Sequence, residues 1–302
     1  MKDPDQLQKK LASLGNKIKI ASAAKTPKNA STVSKSTNSI SSEDRPTDHI
    51  PRNELIAQLH ASPSLKNIEI SKTDLSDLDI PNLDFDGCTF IQVDFSDSIL
   101  ENFQANQCKF YRCDFKNSKL LGAHFTDCKF YNKDDGQRSC NFGSANLRHA
   151  EFVSCDLSLC NFKRAQLFQV TMTECQAQGS DFSSADFTST ISNKKFICGA
   201  TLTGCSFKYA DFSSVTLEGC DLSKSKFWST NLSKANLEKA NLTECEIINI
   251  ISDGLSIIHA DLRNAEITGL DIRQLDMTGV KIQEWQQTTL LESLGFVVVP
   301  NK

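Results

Sequence analysis

From Leu75 onward a large apolar residue returns at every fifth position of the chain. The first members of this series are Leu75, Ile80, Phe85, Phe90 and Phe95. Two residues before most of them stands a small or aliphatic residue, such as Cys88 before Phe90. A helix needs an apolar spacing near 3.6 and a half-buried strand a spacing of 2, so neither explains the pattern. The period predicts a four-sided coil in which five residues make one side and both apolar residues point inward.

Coils of this kind stack through backbone hydrogen bonds about 4.8 Å apart, as in any parallel ladder. Each coil buries its apolar side chains against its neighbours, which defines a solenoid. The series resumes at Phe142 and runs to Ile282 with a second disturbance on the way. It therefore spans about 200 residues, or roughly ten coils.

Two segments break the period. The first is CKFYNKDDGQRSCNF (128–142), in which Phe130 and Phe142 stand twelve residues apart, so that seven residues are extra. The second is TSTISNKKFIC (188–198). We interpret the first as a bulge from one side of the coil and leave open how many sides the second consumes.

The twelve cysteines follow the same period. The chain has no C-x-x-C pair, and every cysteine except Cys198 occupies the small inward position. A cysteine there serves as a compact core residue, so no metal site or disulfide framework is predicted. The chain also lacks a P-loop, G-x-S-x-G or H-E-x-x-H motif. Left-handed β-helix acyltransferases repeat every six residues, so we predict a protein that is not an enzyme and has no cofactor.

The charge distribution points to a protein partner. A formal net charge of -4 excludes a strongly basic DNA-binding surface. Positions twenty apart form a predicted column of Asp74, Asp94, Asp114, Asn141, Asn161 and Asp181, continued by Thr201, Asp221, Asn241 and Asp261. Such side chains can accept bonds from turn backbone. A regular column can also mimic DNA, whose phosphates repeat at about 3.4 Å per strand.

The chain ends suggest three regions, at residues 1–72, 73–282 and 283–302. The first is an extension with possible short helices at 5–15 and 52–60 and a Ser/Thr/Lys-rich segment, 21–48, predicted to be disordered. No apolar run approaches the roughly 18 residues of a membrane span, and no signal-peptide hydrophobic region is present. We therefore expect a cytoplasmic protein without a membrane partner.

The repeat resembles that of the pentapeptide-repeat proteins, with NLSKANLEKANLTE (231–244) as its purest stretch. Further stretches are similar to one branch, the Qnr quinolone-resistance proteins. These are CKFYNKDDGQRSCNF, SCDLS (154–158), ECQAQGSDF (174–182), FICGATL (196–202), LDIRQLDMTGVKI (270–282) and ESLGFVVV (292–299). The resemblance implies an all-β fold, a right-handed quadrilateral β-helix with two loop insertions.

That resemblance also implies a function, protection of DNA gyrase and perhaps topoisomerase IV from quinolones through the loops and partial DNA mimicry. No direct nucleic-acid binding is expected. In this family two loops take part in the protection, and by position they are Tyr131 to Ser139 and about Thr188 to Cys198. The residues predicted to bind the partner are Tyr131, Asn132, Lys133, Asp134, Asp135, Gln137, Arg138, Ile191, Asn193, Lys194, Lys195 and Phe196. Because the loops emerge two to three coils apart, we expect them to contact one partner together.

The C-terminal segment changes period. QEWQQTTLLESLG (283–295) predicts a capping helix that stops at Gly295, and FVVV predicts a short strand. In the family this region joins two copies. The predicted homodimer interface is Trp285, Leu290, Leu291, Leu294, Phe296 and Val298.

The N-terminal extension departs from the family, whose members begin close to their first repeat. An alternative function is therefore a secreted or regulatory effector, delivered through its N-terminal arm and using the repeats as a scaffold.

Overall fold

A computed structural model describes residues 51–135, 139–192, 195–268 and 270–299. The predicted helix at 5–15 and the predicted disordered segment at 21–48 lie outside the described residues. The described elements are helix α1 Arg52–Ala61; strands β1 Ser64–Lys66, β2 Glu69–Ser71, β3 Asp84–Asp86, β4 Thr89–Ile91, β5 Gln104–Asn106, β6 Lys109–Tyr111, β7 His124–Thr126, β8 Glu151–Val153, β9 Val170–Thr173, β10 Thr188–Ser192, β11 Lys195–Cys198, β12 Ala200–Thr203, β13 Lys226–Trp228 and β14 Glu246–Ile248; and helix α2 Gln286–Ser293.

Four columns of parallel backbone pairing define four sides of one coil, which the chain visits in the order 1, 2, 3, 4. Side 1 passes through Ser64, Asp84, Gln104, His124, Glu151, Thr171, Thr201, Asp221, Asn241, Asp261 and Lys281. Side 2 passes through Glu69, Thr89, Lys109, Lys129, Asp156, Gln176, Ser206, Lys226, Glu246 and Glu266. Side 3 passes through Asp74, Asp94, Asp114, Asn141, Asn161, Asp181, Asp211, Asn231 and Ile251. Side 4 passes through Asp79, Ile99, Lys119, Asn146, Gln166 and Asp186 and, after a break, through Thr216, Asn236 and Ser256.

The ladder begins at Ser64, nine residues before the boundary predicted at 73. The reason is that Leu65 and Ile70 already occupy inward positions and are 4% and 6% exposed. Helix α1, which precedes β1, corresponds to the short helix suggested at 52–60 and buries Leu55 and Leu59. Each coil without an inserted loop takes twenty residues, as the period predicts.

The inward aromatic rings stack from coil to coil. Behind side 3 the rings of Phe95, Phe115, Phe142, Phe162, Phe182 and Phe212 form one continuous pile. Successive centroids lie 4.9, 4.9, 5.0, 4.7 and 4.5 Å apart, with interplanar angles of 12° or less. The spacing follows the rung distance of the parallel ladder, because each ring is carried by one rung. The large inward residues thus form the core that the period predicts.

Where the small inward residue is a cysteine or a serine, it also donates a hydrogen bond that the period does not reveal. The Cys108 thiol donates to the Phe85 carbonyl oxygen at 3.3 Å, and the Ser225 hydroxyl donates to the Leu202 carbonyl oxygen at 2.7 Å. In each case the acceptor belongs to the large inward residue one coil earlier. A buried carbonyl without a partner would destabilise the coil, and a short donor at this position prevents that. This role explains why cysteine and serine exchange freely along the chain.

Each side ends in a residue with left-handed backbone geometry, two positions after the large inward residue. Many are not glycine, such as Arg112 and Leu159, both with φ of 57°. At Gly179 the left-handed φ of 66° coincides with a steric need, since a Cβ there would lie 2.7 Å from Leu159 Cδ2. The corner turns are therefore imposed by the ladder more than by local sequence preference.

The C-terminal end is closed by Gln286 in helix α2, and this helix confirms the predicted capping helix. The Gln286 side chain is fully buried, and its Nε2 donates at 2.8 Å to the carbonyl oxygens of Leu262 and Ala265. At this end no further coil supplies backbone N–H donors for those carbonyls. The strand predicted at 296–299 is not formed in the described part of the chain, because these residues have no neighbouring strand to pair with.

Replacing Phe142 by alanine should destabilise the protein by about 3 to 5 kcal/mol, because it removes one ring from the middle of the pile behind side 3. Urea denaturation followed by circular dichroism measures the change. The control is Phe196→Ala, at a ring that is 68% exposed, which should change stability by no more than about 0.5 kcal/mol. Equal effects of both substitutions would contradict the stacked core.

Candidate partner-binding site

The short loop, residues Tyr131–Ser139, leaves the coil at the corner between sides 2 and 3. Its ends are joined by an antiparallel bridge between Tyr131 and Ser139, and Lys133–Asp135 form one turn of 3-10 helix. The Ser139 hydroxyl donates to the Phe130 carbonyl oxygen at 2.8 Å, which closes the base. Lys133 and Asp134 are exposed, whereas Tyr131 and Asn132 are half-buried. Gln137 and Arg138 lie outside the described residues, and the Asp135 side chain is not described.

The long loop, residues Thr188–Cys198, leaves the coil at the corner between sides 4 and 1. It is an antiparallel hairpin of β10 and β11, in which Thr188 pairs with Cys198 and Thr190 with Phe196. Ile191, Phe196 and Ile197 are 58%, 68% and 40% exposed. Asn193 and Lys194 lie outside the described residues, and only the backbone of Lys195 is described. The described part of this hairpin therefore presents an apolar surface.

Three contacts anchor the base of the long loop to the coil. Thr188 donates its backbone N–H to Asp186 Oδ1 at 2.9 Å. Ser189 Oγ accepts a 2.8 Å hydrogen bond from Arg148 Nη2, and the same guanidinium lies 5.0 Å from the centre of the Phe168 ring. Arg148 and Phe168 lie on earlier coils at the corner from which the hairpin leaves. Sequence patterns did not reveal these anchors, because they are turn residues with no fixed type in the repeat.

The two loops emerge from opposite corners of the coil. The short loop lies between Lys129 on side 2 and Asn141 on side 3, and the long loop lies between Asp186 on side 4 and Thr201 on side 1. The axial separation of two to three coils agrees with the prediction. The corners, however, share no side, because the ten sides between the loops, from Phe142 to Phe187, make two and a half turns of the coil.

The column of Asp and Asn on side 3 continues differently from the sequence prediction. Asp74, Asp94, Asp114, Asn141, Asn161 and Asp181 do form one column. The next members are Asp211 and Asn231. The predicted continuation through Thr201, Asp221, Asn241 and Asp261 is wrong, since these residues lie on side 1, opposite side 3.

The long loop causes this difference. Strands β10 and β11 pair with each other, so their backbone groups cannot also pair in the parallel ladder. Ten residues are therefore inserted into this coil without occupying any of its four sides. Asp261 is also poorly suited to an acidic face. Arg263 Nη2 lies 2.7 Å from Asp261 Oδ2, and this bond holds the pKa of the Asp261 carboxyl below its usual range.

Every member of the side 3 column except Ile251 is also a structural residue. The Oδ1 atoms of Asp94, Asp114 and Asp181 accept the backbone N–H two residues later at 2.8 to 2.9 Å. Amide members also link rungs, because Asn141 Nδ2 donates to Asp114 Oδ1 at 3.0 Å and Asn161 Nδ2 to Asn141 Oδ1 at 2.9 Å. The column thus carries carboxylates at Asp74, Asp94, Asp114, Asp181 and Asp211, and its members Asn141, Asn161, Asn231 and Ile251 are uncharged.

A second exposed apolar surface lies at the C-terminal end. Trp285, Leu294 and Phe296 are 59%, 43% and 60% exposed. Leu291 is also exposed, whereas Leu290 and Val298 are half-buried. The residues predicted for a dimer interface therefore lie on one short segment around α2, and four of the six are exposed.

Among the residues that the structure describes, no group of three or more His, Cys, Asp or Glu side chains is arranged to hold a metal ion. Within the same ranges, no helix is long and apolar enough to cross a membrane.

Comparison with known proteins identifies the repeat. The family model for pentapeptide repeats matches eight copies in residues 108–132, 140–175, 180–223 and 220–250. The protein QnrB4 of Escherichia coli is 38% identical over 98 residues, which are 32% of this chain and 46% of that protein. The quinolone resistance pentapeptide repeat protein QnrB96 of Scandinavium goeteborgense is 35% identical over the same length. The chain thus aligns with about half the length of these curated relatives.

Structural similarity extends further. The solved structure of full-length QnrB1, described as a plasmid-mediated fluoroquinolone resistance protein, matches with a TM-score of 0.62 and 30% identity. The match covers 77% of this chain and all of QnrB1. The fold is therefore the right-handed quadrilateral β-helix of pentapeptide repeats, as the sequence predicts. Within that class, the chain belongs to the Qnr family.

Asp114→Asn should leave stability nearly unchanged, whereas Asp114→Ala should lower it by about 1 kcal/mol. Asparagine keeps the oxygen that accepts the Lys116 N–H, and alanine removes it. Urea unfolding midpoints compare the two, with alanine at the exposed Asp253 as the control. If asparagine destabilised as much as alanine, the charge and not the hydrogen bond would hold the turn.

Proposed function

We propose that this protein binds DNA gyrase, and also topoisomerase IV, and protects them from quinolone antibiotics in the cytoplasm. It acts as a binding protein and carries out no chemical step. The observation that carries the proposal is the long loop, where Ile191, Phe196 and Ile197 are gathered on a hairpin that projects from the coil. An exposed apolar group of this kind marks a protein interface.

The relatives support the choice of partner. QnrB96 is named for quinolone resistance and QnrB1 for fluoroquinolone resistance. The likeness to QnrB1 extends over the whole of that protein. These drugs act on type II topoisomerases. Binding to such an enzyme would explain resistance without any chemical change to the drug.

The placement of the loops constrains how the partner is contacted. Because the loops leave at opposite corners, an enzyme that touches both must reach around two sides of the coil or present two separate surfaces. The described residues of the short loop offer mainly polar contacts through Asn132, Lys133 and Asp134, whereas the long loop offers apolar area. We assign the larger share of the affinity to the long loop, since buried apolar anchors dominate interfaces.

Side 3 contributes partial DNA mimicry in this proposal. Its carboxylates lie on successive coils in two groups, Asp74, Asp94 and Asp114 before the amides Asn141 and Asn161, and Asp181 and Asp211 after them. Lys116 and Lys163 stand two residues after column members and interrupt the negative surface near its middle. The column therefore attracts a DNA-binding groove without reproducing a continuous phosphate backbone.

We also propose that two copies associate through the C-terminal surface. Six large apolar residues lie exposed between Trp285 and Val299, and no described segment of the same chain covers them. A second copy would bury them in a symmetric contact, in which the same surface is used twice.

Phe196→Ser should raise the concentration needed to restore supercoiling by gyrase in the presence of ciprofloxacin by about tenfold or more. The expected size follows from loss of an interface anchor, at about 1.4 kcal/mol per tenfold. The matched control is Ile251→Ser, at an apolar side chain that is 51% exposed and remote from both loops. It should protect like the original protein.

Deletion of residues 132–138 tests the short loop in the same assay, since it removes the seven extra residues and keeps the register. A smaller loss than that of Phe196→Ser is expected. If the unaltered protein fails to restore supercoiling at any concentration, the proposed function is wrong.

Changing Phe296 to aspartate should convert a dimer into a monomer, because a carboxylate would be buried in the apolar contact. Sedimentation equilibrium measures the mass. Phe196→Asp, at an equally exposed ring on the long loop, should remain a dimer. A single-chain mass for the original protein would exclude the proposed dimer while leaving the topoisomerase proposal standing.

A further inference from the structure

Cys198 differs from the other eleven cysteines in position and surroundings. It lies outside the inward positions of the repeat and ends strand β11 at the base of the long loop. Its side chain is partly exposed, whereas Cys220 is 2% exposed. The Sγ atoms of these two residues lie 3.2 Å apart, and neither forms a disulfide in the structure.

The long loop is the reason that two thiols meet here. Most inward cysteines elsewhere donate to the carbonyl of the large inward residue one coil earlier, as Cys245 does to Leu222 at 3.1 Å. Cys220 follows an interrupted coil, and the residue 23 positions before it, Ile197, belongs to the hairpin. The Cys220 thiol instead contacts the Glu218 carbonyl at 3.8 Å and the Cys198 sulfur.

The thiols influence each other's protonation. The hydrogen bond from Cys198 holds the pKa of Cys220 below its usual value, and the pKa of Cys198 is raised in return. A thiolate is the form that reacts with oxidants, so the lowered pKa of Cys220 favours its reaction. The partial exposure of Cys198 gives small oxidants a path to the pair.

We propose that Cys198 and Cys220 are a redox modification site, at which a reversible disulfide fastens the base of the long loop to the next coil. The sulfurs must approach from 3.2 Å to about 2.05 Å. Gly199, which follows Cys198 directly, gives the backbone freedom to allow this movement. The bond would hold the hairpin that carries Ile191 and Phe196 against the coil.

Hydrogen peroxide is the oxidant in this proposal. The thiolate sulfur attacks one peroxide oxygen, becomes a sulfenic acid, and the other oxygen leaves as water after taking a proton. The second sulfur then attacks the first, the S–S bond forms, and the hydroxyl group leaves with the second thiol proton as water. The two sulfurs lose two electrons in total, and the peroxide is reduced to two waters. Dithiothreitol reverses the bond by thiol–disulfide exchange.

The test treats the full-length folded protein with hydrogen peroxide, blocks remaining thiols with N-ethylmaleimide, and maps tryptic peptides without reduction. The expected product joins peptide 196–208, which contains Cys198, to peptide 209–224, which contains Cys220. Free thiols counted after denaturation should fall from twelve to ten, and dithiothreitol should restore them. No topoisomerase is present, so this result does not depend on the proposed function.

Two variants make the assignment specific. Peptide 196–208 also contains Cys205, so Cys205→Ser is the matched control and should still form the linked peptide. The hydroxyl of Ser225 occupies the equivalent inward position one coil later, so serine is tolerated there. Cys198→Ser should abolish the link and keep all eleven remaining thiols. The proposal is overturned if no linked peptide forms, if Cys198 is oxidised only to the sulfinic acid, or if the link joins two inward cysteines.

Discussion

The parallel backbone ladder between residues twenty positions apart is the interaction on which this molecule depends. A bond such as that from the Phe95 N–H to the Asp114 carbonyl oxygen, at 2.6 Å, fixes the rise from one coil to the next. That rise then sets the spacing of the stacked rings inside and of the Asp and Asn side chains outside. It also imposes left-handed geometry on corner residues such as Arg112, which would not choose it alone. Core, surface and turns are therefore consequences of one repeated contact.

The features that depend on the large and the small inward residue of each side could be predicted from the sequence. The fifth-position series identified the core residues and the four-sided coil, because burial demands apolar side chains at these positions and tolerates almost anything elsewhere. The family resemblance added the handedness and the two loops. The cysteines were also interpreted correctly as core residues, although their hydrogen bonds to carbonyls one coil earlier became evident only from the structure.

The sequence could not predict how an insertion is shared among the sides. Residues 188–198 contain apolar side chains at plausible spacings, and only the antiparallel pairing of Thr188 with Cys198 shows that ten residues leave the ladder. For that reason Asp211 was missed and Asp221 was placed on the wrong side. The role of Gln286 was missed for a related reason. The amino-acid pattern of helix α2 does not show whether this glutamine is exposed or is buried against the last coil. In both cases the outcome depends on where backbone groups find partners.

The long loop begins and ends at a single corner, with Thr188 beside Cys198. The length of the loop therefore does not change which side of the coil the chain enters next. A hairpin of any length would return the chain to side 1 with every later rung unchanged, whereas five residues added within a side would turn all later coils by a quarter. The four sides of the coil can consequently remain fixed while the hairpin varies in length and composition. Recognition by the hairpin and the architecture that supports it can therefore change independently.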